Sequence, residues 1–393
     1  MPDVDPNPTA LNPEIAEYFL ARRRRLKVVA TTRTRSGDTL DWIPVGSQVA
    51  EGSIAAPPPP RMEHHPFRHD ERTEHIRFEL LEPGAERGPA GTVPVLRKRI
   101  EVLHETTSLS YYLSKRGAAR LNPKRRHAGP IDPNPTFYHC MSGQTIDCGG
   151  CGTWLNVWQP YVAGSNDHST WQLGMSNYDN PQQQTLEAGW TCDQSLNGDW
   201  SPHLFIYYTT NNYTQDGDNI GGYNSDVDGW VQVSGSIYPG IGLGPASTYG
   251  GAQYGLGIWY MLYKNNWWFW VQNNANGDGE WIGYYPSWLF FGQPGDSEFS
   301  TLGALAESVG FWGEVGTASS DPQSDATQMG SGARAEVGWT KAAFQKNLFV
   351  QIGVNGPFWQ QAGTATADDS QKYDIKLFAE SGSNWGSYFY AGG

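Results

Sequence analysis

Residues 253–272, QYGLGIWYMLYKNNWWFWVQ, contain the pattern that decides the expected fold class. Two runs rich in aromatic residues flank the polar turn Lys264-Asn265-Asn266. Aromatic and β-branched residues favour strands, and Asn in a short polar link favours a tight hairpin turn. The stretch therefore predicts two antiparallel strands joined by a hairpin.

The same pattern continues on both sides of this hairpin, from about residue 136 to the end of the chain. Short alternating or aromatic runs are separated by turns rich in Gly, Asn, Asp and Pro. The predicted strands are 154–162, 170–174, 185–192, 203–209, 229–234, 253–262, 267–272, 281–284, 309–317, 347–352, 373–379 and 388–390. So many short strands at this spacing predict an all-β domain, built as an antiparallel sandwich or barrel.

Residues 1–130 have a different, mixed character. Asn12 and Pro13 predict the start of a helix, and 28–34 with 39–43 predict a hairpin. Four prolines within 55–60 predict an extended spacer, which we treat as a hinge. Farther on, 73–81 and 93–102 are predicted strands and 108–119 a predicted helix. We therefore expect a leading segment at 1–130 and a main domain at 131–393.

Charge divides the chain at the same place. Residues 1–130 hold 21 Lys+Arg and 16 Asp+Glu, a net charge of +5, whereas the rest of the chain carries −18. A strongly acidic domain repels phosphate backbones, so we expect no nucleic acid partner. Because no run of about 18 apolar residues occurs, we expect no membrane partner either. Nor does an apolar stretch of the export-signal type follow the basic run at 22–25.

The four cysteines leave two interpretations open. Cys140, Cys148, Cys151 and Cys192 could form disulfides or remain free thiols, or the Cys148–Cys151 pair could be half of a zinc site. No second pair with matching spacing occurs, which favours the first interpretation. We therefore predict no metal and no cofactor.

Carboxylates are the remaining candidates for catalysis. All nine histidines lie at or before His203, and none stands in a recognisable nucleophile turn. Glu187 and Glu314 each lie in a run otherwise suited to burial, and alternation places Gly189 and Gly316 on their respective faces. Glycine in a strand permits close approach of another backbone. Glu336 has the same local pattern as Glu187, so the pattern alone cannot separate the two.

A set of motifs in a fixed order separates them. The chain from about residue 153 to the end resembles the neprosin family of glutamic peptidases. The motifs that carry the resemblance are EAGWT (187–191), LFIYYT (204–209), GYN (222–224), STYGG (247–251), QY (253–254), WW (267–268), GYYPSWLF (283–290), WGEV (312–315), TQMGSG (327–332) and KAAF (341–344). The stretch RSGDTLD (35–41) is similar to the activation region of that family.

The resemblance implies a fold, a reaction and a site. The fold is a two-sheet antiparallel β-sandwich of the concanavalin-like or jelly-roll type, preceded by a small mixed pro-region at 1–130. The reaction is hydrolysis of peptide bonds in acid, often after proline, by an enzyme made as a zymogen. The family's catalytic glutamates fall on Glu187 and Glu314, which we expect to converge on neighbouring strands and share a proton.

Several further expectations concern substrate and setting. Besides the two glycines, the residues expected to contact substrate are Trp190, Tyr223, Tyr249, Trp312 and Gln328. The partner is a peptide or protein that contains proline, the state a monomer, and the location extracellular by resemblance. Two alternatives remain open, because paired carboxylates with many Trp residues also suit a glycoside hydrolase or a non-catalytic carbohydrate-binding sandwich.

Overall fold

The computed structural model describes residues 13–60, 67, 70–100, 109–115, 136–164, 167–177, 183–291, 301–317, 323–354 and 356–393. The predicted helix cap at Asn12 and the expected domain boundary at 130–131 lie outside these residues, as do residues 108 and 116–119 of the predicted helix 108–119. In chain order the helices and strands are α1 (Pro13–Arg25), β1 (Ala30–Arg33), β2 (Thr39–Pro44), β3 (Glu74–His75), β4 (Thr92–Leu96), α2 (Leu109–Leu113), β5 (Thr136–Asn156), β6 (His168–Asn177), β7 (Gln184–Cys192), α3 (Gln194–Asn197), β8 (His203–Thr209), β9 (Gly221–Tyr223), β10 (Val231–Gln232), β11 (Tyr254–Tyr263), β12 (Asn266–Gln272), β13 (Gly279–Pro286), β14 (Ala306–Thr317), β15 (Ala343–Ile352), β16 (Phe358–Gln360), β17 (Thr364–Ala367), β18 (Asp374–Phe378) and β19 (Tyr388–Gly392).

The long strand β5 belongs to both layers of an all-β sandwich. Its first part pairs with β14, which continues through β6, β7 and β8 to β9. Its last part pairs with β11, which continues through β12 and β13 to β10, and also with β15. Hydrogen bonds join the layers: Trp190 Nε1 on β7 donates to the carbonyl of Asn156 at 3.0 Å, and Tyr260 OH on β11 donates to that of Glu187 at 3.3 Å. The predicted antiparallel sandwich is confirmed.

Strands with local signals formed where the sequence predicts them. Strand β8 has the predicted bounds, and β11 and β12 form the predicted hairpin. Lys264 and Asn265 in its turn have φ values of 48° and 57°, the left-handed pair that a tight hairpin requires. The first part of β5 was not predicted, because its sequence is rich in Gly, Cys and polar residues. Pairing with β14 on one side and β17 on the other makes it a strand.

The leading segment packs on this domain through opposite charges and hydrogen bonds. The predicted hairpin is confirmed as β1 and β2, which form a three-stranded sheet with β4. Arg22 on α1 contacts Asp228 at 3.0 Å, and Lys98 contacts Asp226 at 2.8 Å. The spacer predicted at 55–60 contains no helix or strand, and the amide of Ala56 within it donates to Tyr284 OH at 3.0 Å. That contact holds the proline-rich stretch against the main domain.

All four cysteines are free thiols in buried positions. Three belong to β5, and Cys192 ends β7. Burial raises the pKa of both Cys140 and Cys148 to about 12, so these thiols are poor nucleophiles. Within the described ranges, none of the helices has the length and apolar character needed to cross a bilayer.

Candidate active site

Strand β7 positions Glu187 on one face of its sheet. Leu186, Ala188 and Trp190 point to the core and are fully buried, which leaves Glu187 and Gly189 on the opposite face. Glu187 is itself only 1% exposed. The alternation of the strand therefore carries an acid into a buried position outside the apolar core.

Strand β14 presents Glu314 in the same way, but β6 lies between the two acids. Glu314 pairs with Thr170 on β6, and Glu187 pairs with Gly174 on the other edge of β6. The expectation that the glutamates occupy neighbouring strands was therefore wrong. They meet because their side chains are long and because Gly174 has none: a Cβ there would lie 2.6 Å from the Trp312 ring and 3.2 Å from Cγ of Glu187.

A single cation joins the two carboxylates. Lys115, which follows α2 in the leading segment, places its Nζ 2.6 Å from Oε2 of Glu187 and 2.9 Å from Oε2 of Glu314. All three side chains are at most 3% exposed. The ring of Trp312 borders the same ammonium, with its centroid 5.8 Å from Nζ. The leading segment thus supplies the counter-ion of a buried acid pair in the main domain.

The remaining partners of the two glutamates differ in charge. Glu314 is contacted by Nε2 of His139 at 3.2 Å, Nε2 of His168 at 3.1 Å and the side-chain amide of Gln172 at 3.1 Å. Glu187 instead accepts hydrogen bonds from the hydroxyls of Thr185 at 3.0 Å and Tyr213 at 2.6 Å. One acid therefore has two imidazole neighbours, and the other has neutral hydroxyl donors.

The electrostatics follow from these contacts. Burial alone would raise the pKa of Glu314, but Lys115, His139 and His168 outweigh it and hold that pKa well below its usual range. Burial would lower the pKa of His139, but its hydrogen bonds to Asp368 and Glu314 raise it to about 9. Glu314 is thus stabilised as a carboxylate and His139 as an imidazolium.

A cleft of about 530 Å³ opens beside the acid pair. Its floor comes from β5, β6, β7 and β14, and its lining combines apolar side chains with the hydroxyls of Ser176 and Ser308. The apolar side chains that line the cleft are those of Phe137, Met141, Met175, Val309 and Trp312. Among the residues that the structure describes, no three His, Cys, Asp or Glu side chains are arranged to hold a metal ion. The cleft is a suitable size for part of an extended peptide.

Residues 165–393 match the model of the neprosin family. This match covers more than half of the chain and includes both glutamates. The chain belongs to the neprosin family. The predicted family is confirmed, and with it the prediction of a peptide hydrolase of the glutamic peptidase type. Lys115 and His139 lie outside the matched residues.

Solved structures give fainter likenesses to this neprosin chain. A crystal structure of scytalido-glutamic peptidase with a peptide-based transition state analog is 9% identical, covering 65% of this chain and 97% of that chain with a TM-score of 0.34. SCP-B, a member of the Eqolisin family of peptidases in complex with the tripeptide Ala-Ile-His, is 10% identical at the same coverage with a TM-score of 0.33.

Three of the predicted substrate residues lie around the neprosin glutamates. Trp312 lines the cleft, and its Nε1 lies 3.4 Å from Oε2 of Glu314. Gly316 leaves the space that the His168 ring fills. A Cβ at Gly189 would lie 2.7 Å from Cα of Gln172, so this glycine allows β6 and β7 to approach closely. Of these three, Trp312 lines the cleft, and the two glycines leave room for neighbouring groups.

The other four predicted substrate residues lie away from the cleft. Trp190 is fully buried in the core, as its spacing of three from Glu187 along a strand requires. Tyr223 packs edge-on against Tyr207, with ring centroids 4.8 Å apart. Tyr249 is 61% exposed, and Gln328 is tied to the backbone of residue 161 by two hydrogen bonds. The structure brings none of these four into contact with the acid pair.

The structure also adds site residues that sequence reasoning missed. Lys115, His139, His168 and Tyr213 contact the glutamates, and Asp368 contacts His139. The sequence contained a signal for His168, because alternation along β6 places it on the same face as Gln172 and Gly174. Glu336, which resembled Glu187 in local pattern, lies in a short 3-10 turn with 64% of its side chain exposed.

Proposed function

We propose that this chain is an acid-acting glutamic endopeptidase in which Glu187 and Glu314 activate a water molecule for attack on a peptide bond. The observation that supports this most strongly is the meeting of the two carboxylates at one ammonium, beside a cleft of about 530 Å³. Two acids this close do not both ionise easily without a cation, so they share a proton when the cation leaves.

The proposed reaction uses one ionised and one protonated glutamate. The ionised carboxylate takes a proton from water, and the water oxygen attacks the scissile carbonyl carbon. The protonated carboxyl donates its proton to the carbonyl oxygen, which gives a neutral tetrahedral intermediate. As the C–N bond breaks, the first carboxyl passes its new proton to the amine nitrogen, and the second recovers its proton from the hydroxyl.

We further propose that residues 1–130 keep the enzyme latent. Lys115 occupies the position that water and substrate need, and four other cations of the segment, Arg22, Arg25, Lys98 and Arg99, contact acids of the main domain. The cation between the glutamates comes from the leading segment, and residues 131–393 contain only six Lys+Arg in all. The net charges of +5 and −18 favour the bound state, and acid weakens it by protonating carboxylates.

Cleavage after proline is a third element of the proposal. Trp312 borders the position where Lys115 meets the acids, so a substrate residue that replaced Lys115 would lie against a flat indole face. A proline ring suits such a face, and the family resemblance points to the same preference. Secretion and a monomeric state are proposed from the resemblance alone.

The test uses the full chain after incubation in acid, with an unstructured proline-containing protein as substrate. Glu187→Gln and Glu314→Gln should each lower the cleavage rate by about 10²- to 10⁴-fold, because each removes a proton transfer group. Glu336→Gln is the matched control and should retain the wild-type rate. Mass spectrometry of fragment ends reads the residue before each cut. Wild-type rates in both active-site variants would refute the glutamate pair.

A further inference from the structure

We infer that His139 and His168 divide the roles of the two acids, so that Glu314 is the base and Glu187 the proton donor, with Asp368 as the positioning residue for His139. This inference rests on the proposed glutamate mechanism and deepens it. It assigns a function to three side chains that the sequence pattern left without one.

The backbone register places His139 directly beside Glu314. The two residues are paired across β5 and β14, so their side chains leave the same face of the sheet. The His139 ring reaches Oε2 of Glu314 through Nε2 at 3.2 Å. Its other nitrogen, Nδ1, lies 2.7 Å from Oδ2 of Asp368. A ring held at both nitrogens has a fixed orientation and, when protonated, donates to both carboxylates.

Asp368 holds His139 through its backbone as well as its ring. The amide of His139 donates to Oδ2 of Asp368 at 3.0 Å, and the amide of Asp368 donates to the carbonyl of His139 at 3.0 Å. These contacts follow β17, which pairs with the adjacent part of β5. Among the residues that the structure describes, Asp368 contacts His139 but neither glutamate. It therefore acts on Glu314 through His139.

His168 contacts the other oxygen of Glu314. Its Nε2 lies 3.1 Å from Oε1, and the ring is 3% exposed. It reaches this position because Gly316, two residues after Glu314 on the same face, has no side chain. The Phe137 ring closes the remaining side, with a centroid distance of 5.7 Å. Both oxygens of Glu314 therefore face an imidazole.

Glu187 has a different set of partners. In the described part of the chain, its side-chain contacts apart from Lys115 are the hydroxyls of Thr185 and Tyr213. A hydroxyl can donate to a carboxylate or accept from a carboxyl, so it allows either protonation state. Removal of Lys115 therefore takes away the one cationic contact of Glu187, while Glu314 keeps its two histidines.

The charged and titratable groups that face Glu314 from every adjoining element are consistent with this division. They are Lys115 from the leading segment, Glu187 from β7, His139 from β5 with Asp368 behind it, and His168 from β6. The pKa of His139 is raised to about 9, so it carries its charge throughout the acid range. An ionised Glu314 then repels a second negative charge and favours the protonated form of Glu187.

The reaction then has assigned proton transfers. Glu314 takes the proton from water as the water oxygen bonds to the carbonyl carbon, and Glu187 gives its proton to the carbonyl oxygen. When the C–N bond breaks, the proton on Glu314 moves to the amine nitrogen, and the hydroxyl proton returns to Glu187. His139 keeps its proton, and His168 holds Oε1 of Glu314, so both histidines act as positioning groups rather than as proton donors.

The first test is the pH profile of kcat/KM of the acid-treated full chain. His139→Gln removes a positive charge beside Glu314, so the acid limb of the profile should move up by about 1 pH unit, with kcat reduced more than KM is changed. His203→Gln, at a buried histidine of β8, is the matched control and should leave the acid limb in place. An acid limb unchanged in His139→Gln would overturn the inference.

A second comparison separates the roles without a pH profile. Glutamine can donate a hydrogen bond as a protonated carboxyl does, but it cannot take a proton from water. Glu187→Gln should therefore retain at least about tenfold more residual activity than Glu314→Gln, and the reverse order would overturn the assignment. Full activity in both variants would instead refute the glutamate mechanism, so the failure of the two proposals can be told apart.

Asp368→Asn provides a readout in the latent chain that does not depend on turnover. Loss of the aspartate should lower the pKa of His139, which histidine-labelled NMR detects as a titration moved to lower pH. An unmoved His139 titration would show that Asp368 does not position or charge the ring.

Discussion

The ring of His168 fills the space that a side chain at position 316 would need, since a Cβ built on Gly316 would overlap the ring. Gly316→Ala should therefore displace His168 from Glu314. Because overpacking a filled site costs about 1–3 kcal/mol, we expect a lower free energy of unfolding together with reduced peptidase activity. Urea denaturation and a peptide cleavage assay measure the two effects.

Gly46→Ala is the matched control for this prediction. A Cβ at position 46 meets nothing within 4 Å, so the same added methyl should leave both stability and activity unchanged. Equal behaviour of the two variants would show that the bare position 316 is not required for the placement of His168.

A second buried ion pair ties the leading segment to the other end of the sandwich. Lys346 on β15 is 1% exposed and lies 3.0 Å from both Oδ2 of Asp70 and Oγ1 of Thr73. Burial, opposed by Asp70, lowers the pKa of Lys346 to about 8. Asp70→Asn should cost about 3–5 kcal/mol at neutral pH, because it leaves a buried ammonium without its counter-ion.

The pH dependence of this variant has a definite sign. Without Asp70 the folded state disfavours the charged Lys346 even more, while the unfolded lysine keeps its ordinary pKa of 10.5. The unfolded state then binds more protons, so the stability of Asp70→Asn should rise with pH up to about 10 and approach that of the wild type. Thermal unfolding at several pH values measures this, and Thr73→Val, which keeps the carboxylate, should lose less than half as much stability. A stability gap independent of pH would contradict the role given to Lys346.

Local patterns made much of the fold predictable. Strands such as β7 and β8 carry their own apolar and aromatic signals, and the turn at Lys264 and Asn265 uses residues that tolerate the left-handed region. Alternation also placed Glu187 and Gly189 on one face of their strand. These features depend on neighbours within a few residues, so a single sequence contains enough information to predict them.

Contacts between distant residues were not predictable in the same way. Lys115 lies 72 residues from Glu187 and 199 from Glu314, and nothing local to it indicates a buried position. His139 lies in the part of β5 whose sequence lacks a strand signal, so its place beside Glu314 followed only from the register of two strands. The acids themselves were singled out by the ordered motif set rather than by their local pattern, which Glu336 shares.

The pairing of Asp218 with α1 gives a prediction about the pH at which latency is lost. Asp218 contacts Arg22, and its Oδ2 lies 2.9 Å from Arg25. Burial would raise the pKa of Asp218, but these arginines lower it below its ordinary value. These ion pairs therefore stabilise the bound segment fully at pH values above the ordinary carboxylate pKa. The stabilisation is lost as the pH falls through the lowered pKa of Asp218.

Asp218→Asn removes this contribution at every pH. The full chain should then gain peptidase activity at a higher pH than the wild type, which a series of activations at stepwise lower pH measures. Asp147→Asn, at an exposed aspartate of β5, should activate at the wild-type pH. An unchanged activation pH in Asp218→Asn would show that α1 does not contribute to latency.

The cation between the glutamates leads to the most direct prediction about latency. Lys115→Met keeps a long side chain but removes the charge that both carboxylates contact at 2.6 and 2.9 Å. Two facing acids without a cation repel each other until one takes up a proton, so the leading segment should be held less tightly. We expect the full-length variant to cleave peptide at mildly acidic pH before any acid incubation, when the wild type is still latent. Lys341→Met makes the same change at an exposed lysine of the main domain and should remain as latent as the wild type. If Lys115→Met also stayed latent while acid still activated it fully, the block would lie in the rest of the segment rather than in the ammonium between Glu187 and Glu314.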